Sequence, residues 1–232
     1  GGKRENLCLS DTMLSKNALI KEFQKSPSKH WKVKMFDDQG LTRKQCVKCK
    51  KLFWSISKET CGDTPCEDYG FIGSPATKKR FGYIEMWKEF EKFFSRNSHY
   101  SMPRYPVVSR WRPDLFFTIA SIQDFQRVDA SGLTFEYPAD SLVVPQVCLR
   151  FPDIPNVGVT GKHHTSFIMA GQHSFGYPKT GYWKDRCMKL NFEFLTEVMG
   201  IKKDELTYVE DLWAMPDMSA FGPCVETFSH GL

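Results

Sequence analysis

The stretch VPQVCLRFPDIPNVGVTGKHHTSFIMAGQHSFG, residues 144–176, holds two apolar runs around a loop rich in proline and glycine. The first run ends at Arg150. The loop carries Pro152, Pro155, Gly158 and Gly161, and the second run begins near Thr165. Runs of this length and composition read as strands. An arginine facing inward on a half-buried strand needs an anion, and a guanidinium binds a phosphate or a carboxylate through paired hydrogen bonds. Lys162, His163 and His164 make the loop a basic flap suited to the outer phosphates of a nucleotide. The alternative is a structural ion pair at Arg150 and an exposed basic loop.

Working outward, Tyr83, Met86, Trp87, Phe90, Phe93 and Phe94 fall at helical spacing with Glu and Lys between them. They predict an amphipathic helix from Gly82 to about Asn97, its aromatics explained by packing. Strands are expected at Tyr105–Trp111, Leu115–Ala120, Ser141–Phe151 and Thr165–Phe175. A second helix is expected from about Lys184 to Met199, stopped by Gly200. Towards the front, Leu7 to His30 reads as one or two short helices broken at Ser26-Pro27-Ser28. Trp31 to Leu41 reads as irregular, and Gly73-Ser74-Pro75-Ala76-Thr77 as a linker. The expected fold is α+β: a mainly antiparallel sheet flanked by helices, with a small cysteine-rich amino-terminal extension. The expected division is 1–80 for the extension and 81–232 for the main domain.

Composition is that of a globular chain, 41% apolar and 25% charged over 232 residues. No run approaches the ~20 apolar residues of a bilayer span, and no secretory signal is visible, so a cytoplasmic protein without a membrane partner is expected. Gly1-Gly2-Lys3, without Met, reads as a trimmed tag. Residues 1–80 hold 17 Lys/Arg against 9 Asp/Glu, a net of +8; residues 81–232 hold 15 against 18, a net of −3. The basic front third favours a polyanion such as RNA, against the plain alternative of a solvated lysine-rich surface.

Cys46-Val-Lys-Cys49 and Cys61-Gly-Asp-Thr-Pro-Cys66 form a C-x2-C and a C-x4-C pair. Two thiolate pairs across a short loop suit tetrahedral zinc, and four sulfurs leave no open position, so such a metal would be structural. Two disulfides or free thiols are the alternatives, and a reducing compartment disfavours the disulfides. Cys8, Cys148, Cys187 and Cys224 are scattered and read as packing residues.

Gln146-Val-Cys148-Leu-Arg150, Asn156-Val157-Gly158-Val-Thr160, Lys162-His163-His164-Thr165, Phe167-Ile-Met169 and Ser174-Phe175-Gly176 follow one another in order. This series resembles motif 2 of the class II aminoacyl-tRNA synthetases, in the form found in alanyl-tRNA synthetases, and the cysteine-bearing front extension is similar to that of archaeal-type members. The helix from Tyr83 resembles the family's first motif. The block from Arg110 to Ser121 resembles its strand pair feeding the alanine pocket. Trp213-Ala-Met-Pro-Asp217 and Gly222-Pro223-Cys224-Val-Glu226 resemble a later substrate-pocket segment. The resemblance covers about Thr42 to Leu232.

It implies activation of alanine with ATP and Mg2+ to alanyl-adenylate, then transfer to the 3′ end of tRNA(Ala). Arg150 is then the catalytic residue, holding the α-phosphate and the alanine carboxylate. Lys162 and His163 meet the outer phosphates, and Phe167 stacks on adenine. Ile122 and Trp213 wall the alanine pocket, Asp217 serves the amino group or a metal, and Glu226 belongs to the ATP site. Three departures stand out. Ile168 replaces the family's Glu, and Lys162 replaces the Arg before His-His. No Gly-rich motif 3 follows Glu226 before Leu232. Ile168 and the missing motif 3 motivate a competing reading, a catalytically incomplete relative that binds nucleotide or RNA. A third reading is a zinc-dependent RNA-binding protein acting through its basic front.

Overall fold

The computed structural model describes residues 15–214, 218 and 220–232. Two compact units divide the chain: Gly1–Asp68 with Asp204–Gly231, and Tyr69–Lys203 with Leu232.

In the first unit, helix α1 (Lys16–Phe23) starts at Ser15, whose hydroxyl accepts the Ala18 N–H, the usual role of a capping serine. Pro27 opens the short α2 (Pro27–His30), where its missing N–H costs nothing. The irregular stretch expected between Trp31 and Leu41 contains a further helix, α3 (Lys34–Asp38), which buries Met35 and Phe36. Five residues are too short for helical periodicity to show in the sequence. Strands β1 (Thr42–Gln45) and β2 (Leu52–Ser55) form a hairpin. It joins β8 (Thr207–Ala214) and β9 (Phe221–Phe228) in a four-stranded antiparallel sheet ordered β1-β2-β8-β9. Phe36 stacks on Trp54 at 5.0 Å and lies 5.3 Å from the Tyr208 ring. Glu210, almost fully buried, takes two 2.7 Å hydrogen bonds from Arg43 and one of 3.0 Å from Trp54 Nε1. A buried carboxylate is tolerated only when paired and hydrogen-bonded in this way.

The second unit is built on the expected helix and hairpin. Helix α4 (Tyr83–Arg96) has Glu85 accepting the Gly82 N–H at its start and the Asn97 side chain donating to the Phe93 carbonyl at its end. Strand β3 (Tyr100–Ser101) lies parallel to β6 (Ser141–Leu149), which pairs antiparallel with β7 (Ser166–Ser174). Helix α5 (Lys184–Glu193) continues as a π-helical turn over Phe194–Val198 and stops at Gly200, whose φ of +75° suits glycine. The strands expected at Tyr105–Trp111 and Leu115–Ala120 are absent: the two segments share one bridge, Val108 to Phe117. Pro106 removes a ladder donor from the first, and Pro113 interrupts the link between the two. A hairpin not foreseen, β4 (Gln126–Asp129) and β5 (Gly132–Phe135), follows a 3-10 turn over Ser121–Phe125.

Pleating gives the β6–β7 hairpin two unlike faces, because directly opposed residues share a side. On one, Cys148 faces Phe167, Gln146 faces Met169 and Leu142 faces His173. This side packs on Phe125 and leads to Arg150. On the other, Val143 packs with Phe94 and Leu190 beneath α4 and α5. Among the described residues no helix is long and apolar enough to cross a membrane.

Candidate functional site

The residues expected to meet a nucleotide come together in the second unit. Arg150, Asp153, Lys162, His163, His164 and Phe167 line a cavity of about 290 Å³ at the open end of the β6–β7 hairpin. Arg150 does not face inward on the strand as expected. It stands one residue past β6, exposed, because the chain leaves the sheet there toward Pro152. Three contacts hold it: its N–H donates to the Thr165 carbonyl at 2.9 Å, its Nε to the Ile119 carbonyl at 2.9 Å, and its guanidinium carbon lies 5.0 Å from the Phe167 ring centre. Its terminal nitrogens make no hydrogen bond among the described residues and are open to solvent or to a ligand. A larger cavity of about 840 Å³ lies on the opposite face. It is walled by Trp87, Phe90, Pro145, Ile168 and Phe194, with Arg104 as its one charged lining residue. Size alone does not mark the chemistry here.

The loop is shaped by Gly158 and Gly161, at φ +78° and +69°. Between them Thr160 Oγ1 accepts the N–H groups of Lys162 and His163, each at 3.3 Å, and lies 2.6 Å from His163 Nδ1. The 3-10 turn sits beside this face. Ser121 Oγ is 2.9 Å from His173 Nε2, and a Cβ on Gly171 would collide with Ser121. Ile122 is half-buried on that turn.

Trp213 and Glu226 are carried by the first unit, on β8 and β9. Trp213 is 49% exposed and lies across from Gly222, where a Cβ would come within 3.0 Å of the indole nitrogen. Glu226 stands opposite Val209, with its carboxylate 3.7 Å from Cys224 Sγ. Burial, reinforced by the Glu226 and Asp211 carboxylates, pushes the Cys224 thiol up to about 12. Asp217 lies outside the described residues.

The four cysteines of the first unit also converge. The sulfurs of Cys46, Cys49, Cys61 and Cys66 all lie within 4.8 Å of one another. Cys49 and Cys61 are 3.7 Å apart, far beyond a disulfide bond. That is the edge of a tetrahedron with metal–sulfur bonds of about 2.3 Å. Burial opposes ionisation of Cys46, but N–H groups of Cys49, Cys61 and Lys48 outweigh it and bring the thiol down to about 6. The donor set and spacing therefore fit a tetrahedral dication.

Residues 85–229 match the family of class II (A) tRNA synthetases. The chain belongs to that family. Among its relatives, the alanine–tRNA ligase of Nitrosopumilus maritimus is 52% identical over 221 residues, which is 94% of this chain and 24% of that protein. That of Cenarchaeum symbiosum is 45% identical over 220 residues, again 94% and 24%. That of Archaeoglobus fulgidus is 44% identical over 198 residues, 84% and 21%. The chain thus spans about a quarter of the length of the curated relatives it matches.

Within this synthetase chain the Ile168 departure finds a structural place. Ile168 pairs with Val147 and lines the apolar cavity under α4, on the face away from Arg150 and Phe167. It is not among the residues that line the cavity around Arg150. One buried group had no sequence signal at all. Asp124 is fully buried, and neither carboxylate oxygen has a hydrogen-bond partner among the described residues. Burial, only partly offset by Arg127, pushes its pKa up to about 7.

Proposed function

We propose that this chain carries the ATP-binding part of an alanine–tRNA ligase active site. In the longer protein the reaction joins alanine to ATP, releases pyrophosphate, and passes the alanyl group to the 3′ end of tRNA(Ala). The observation that carries this reading is the single cavity formed by Arg150, Lys162, His163 and Phe167, in a chain whose relatives are alanine–tRNA ligases.

The alanine carboxylate attacks the α-phosphorus in line, so the protein's task is positioning and charge stabilisation. Arg150 offers its two free terminal nitrogens to the α-phosphate and the carboxylate, drawing them together. Lys162 and His163 meet the outer phosphates, which leave as pyrophosphate, and Phe167 supplies the flat surface for adenine. Mg2+, when bound, neutralises charge on those phosphates. Ile122, Trp213 and Asp217 are assigned to the alanine pocket and Glu226 to ATP. Cys46, Cys49, Cys61 and Cys66 hold a structural zinc that ties the β1–β2 hairpin to the 61–66 turn.

The test is alanine-dependent exchange of labelled pyrophosphate into ATP, with glycine and serine as controls. Exchange supported by alanine establishes the activity in this chain. Exchange by a longer synthetase containing these residues, but not by the chain alone, places the remaining groups outside residues 1–232. Absence of exchange from both would refute the reading.

A further inference from the structure

Thr160 has three hydrogen-bonding neighbours within the cavity loop besides its own helix-like contact to Asn156. Its hydroxyl oxygen accepts from the Lys162 and His163 N–H groups, which occupies both lone pairs of a hydroxyl. One proton remains for it to donate. The nearer acceptor by far is His163 Nδ1 at 2.6 Å, against 3.4 Å to the Asn156 carbonyl. The opposite arrangement would have Nδ1 donate to Thr160 as a third bond to an oxygen already filled, leaving the hydroxyl proton to the longer contact. Three hydrogen bonds to one hydroxyl oxygen exceed its two lone pairs, and the count therefore argues against that arrangement.

From this we infer that Thr160 is a positioning residue: it fixes His163 as the tautomer with its proton on Nε2. With Nδ1 engaged, Nε2 is the nitrogen left for a ligand, and it has no partner among the described residues. A neutral imidazole held in this form presents an N–H donor to a phosphate oxygen without first having to gain a proton. The backbone makes the arrangement possible. Gly161, at φ +69°, turns the chain so that residues two and three positions past Thr160 direct their N–H groups back at its hydroxyl. Sequence supplies the same logic in the segment Thr160-Gly161-Lys162-His163, where a hydroxyl, a hinge and two phosphate-seeking side chains stand in register. The role assigned to His163 rests on the nucleotide reading given above, whereas the tautomer does not.

The experiment uses the full chain with 15N-labelled histidine. Two-bond 15N–1H correlations at a pH where His163 is neutral report which ring nitrogen is protonated, in the absence of any nucleotide. Inorganic pyrophosphate is then titrated as the probe. The wild-type chain is expected to show the Nε2–H form. Thr160→Ser, which keeps the hydroxyl, should show the same form and the same pyrophosphate affinity. Thr160→Val, which keeps the shape, should show mixed tautomers and bind pyrophosphate roughly 5- to 10-fold more weakly, the range expected when a single hydrogen bond is misaligned. An Nδ1–H form in the wild-type chain overturns the inference whatever the variants do, so it stands exposed even if Thr160→Val fails to fold. An unchanged tautomer in a folded Thr160→Val overturns it too. The Nε2–H form in a chain that does not bind pyrophosphate leaves the tautomer standing and counts against the nucleotide reading.

Discussion

Arg150 is clamped through its backbone N–H and its Nε, so its remaining nitrogens are pre-aimed at little entropic cost. Arg150→Lys keeps the charge but loses both the Nε bond to Ile119 and the fork. Pyrophosphate exchange is expected to fall at least about 100-fold, the scale on which removal of one donor to developing charge is felt. Retention of wild-type exchange would remove Arg150 from the mechanism. Ile168→Glu tests the two-faced hairpin in the opposite sense. A carboxylate in the apolar cavity under α4 should lower stability by about 1–2 kcal/mol in a denaturant melt. ATP affinity should stay unchanged, because the side chain lies on the far face. Asp124 gives a pH signature. Its folded pKa stands near 7 against an ordinary 3.8, so the folded state holds a proton that the unfolded state has lost between those values. Its contribution is therefore fully present below about pH 4, falls as pH climbs toward 7, and is level above. Asp124→Asn should melt at the wild-type temperature near pH 4 and several degrees above wild type at pH 8. Equal melting temperatures at both pH values would show that the carboxylate is relieved by a partner.

The hairpin that decides the fold was readable because β6 and β7 are long, apolar and bounded by Pro and Gly, and α4 because six aromatic or sulfur-bearing side chains repeat at helical spacing. The hairpin β4–β5 left only a weak signal, the Asp129-Ala-Ser-Gly132 turn, since its second strand is wholly exposed and shows no alternation of burial. The cavity residues Arg150, Lys162, His163 and Phe167 were legible from their order along one loop, whereas Asp124 was not. A single acid inside an apolar segment looks like any surface acid until its burial is known. The cysteine pairs were legible from spacing, and the structure adds that the four thiols are free and gathered within 4.8 Å of one another. Metal analysis should return about one zinc per chain, and Cys61→Ser should lose it together with the first unit's cooperative melt. A metal-free chain that folds would contradict the assignment. Gly62, beside that cluster, has φ +86° and no room for a Cβ against Thr207 and Phe228. Gly62→Ala should therefore destabilise the same unit by about 1–3 kcal/mol.

Charge looks different once the chain is divided by packing and not by position. The segments Gly1–Asp68 and Asp204–Gly231 together hold 14 Lys/Arg against 15 Asp/Glu, a net of −1. The acidic carboxy-terminal strands offset the lysine-rich front, and Lys16 with Asp211 and Arg43 with Glu210 are direct pairings of the two. The remaining +6 belongs to Tyr69–Lys203 and Leu232, the unit with the cationic cavity, at 18 Lys/Arg against 12 Asp/Glu. A polyanion should therefore be held more by the second unit than linear charge suggests. Lys162→Glu should shift elution from immobilised heparin to lower salt by more than Lys50→Glu, because it reverses a charge inside the cationic cavity of the unit that carries the excess. The first unit has one more property, concerning the order of synthesis. Its sheet joins Trp54 to Glu210, 156 residues apart, and Phe53 to Val209. On the ribosome, the front hairpin emerges long before β8 and β9 exist, and a two-stranded hairpin alone is marginal in water. Residues Tyr69–Lys203, all of the second unit except Leu232, lie within that interval and can be made while the first still waits for its other half. Four thiols closing on one ion inside residues 46–66 would give that waiting hairpin a fixed shape before its sheet arrives.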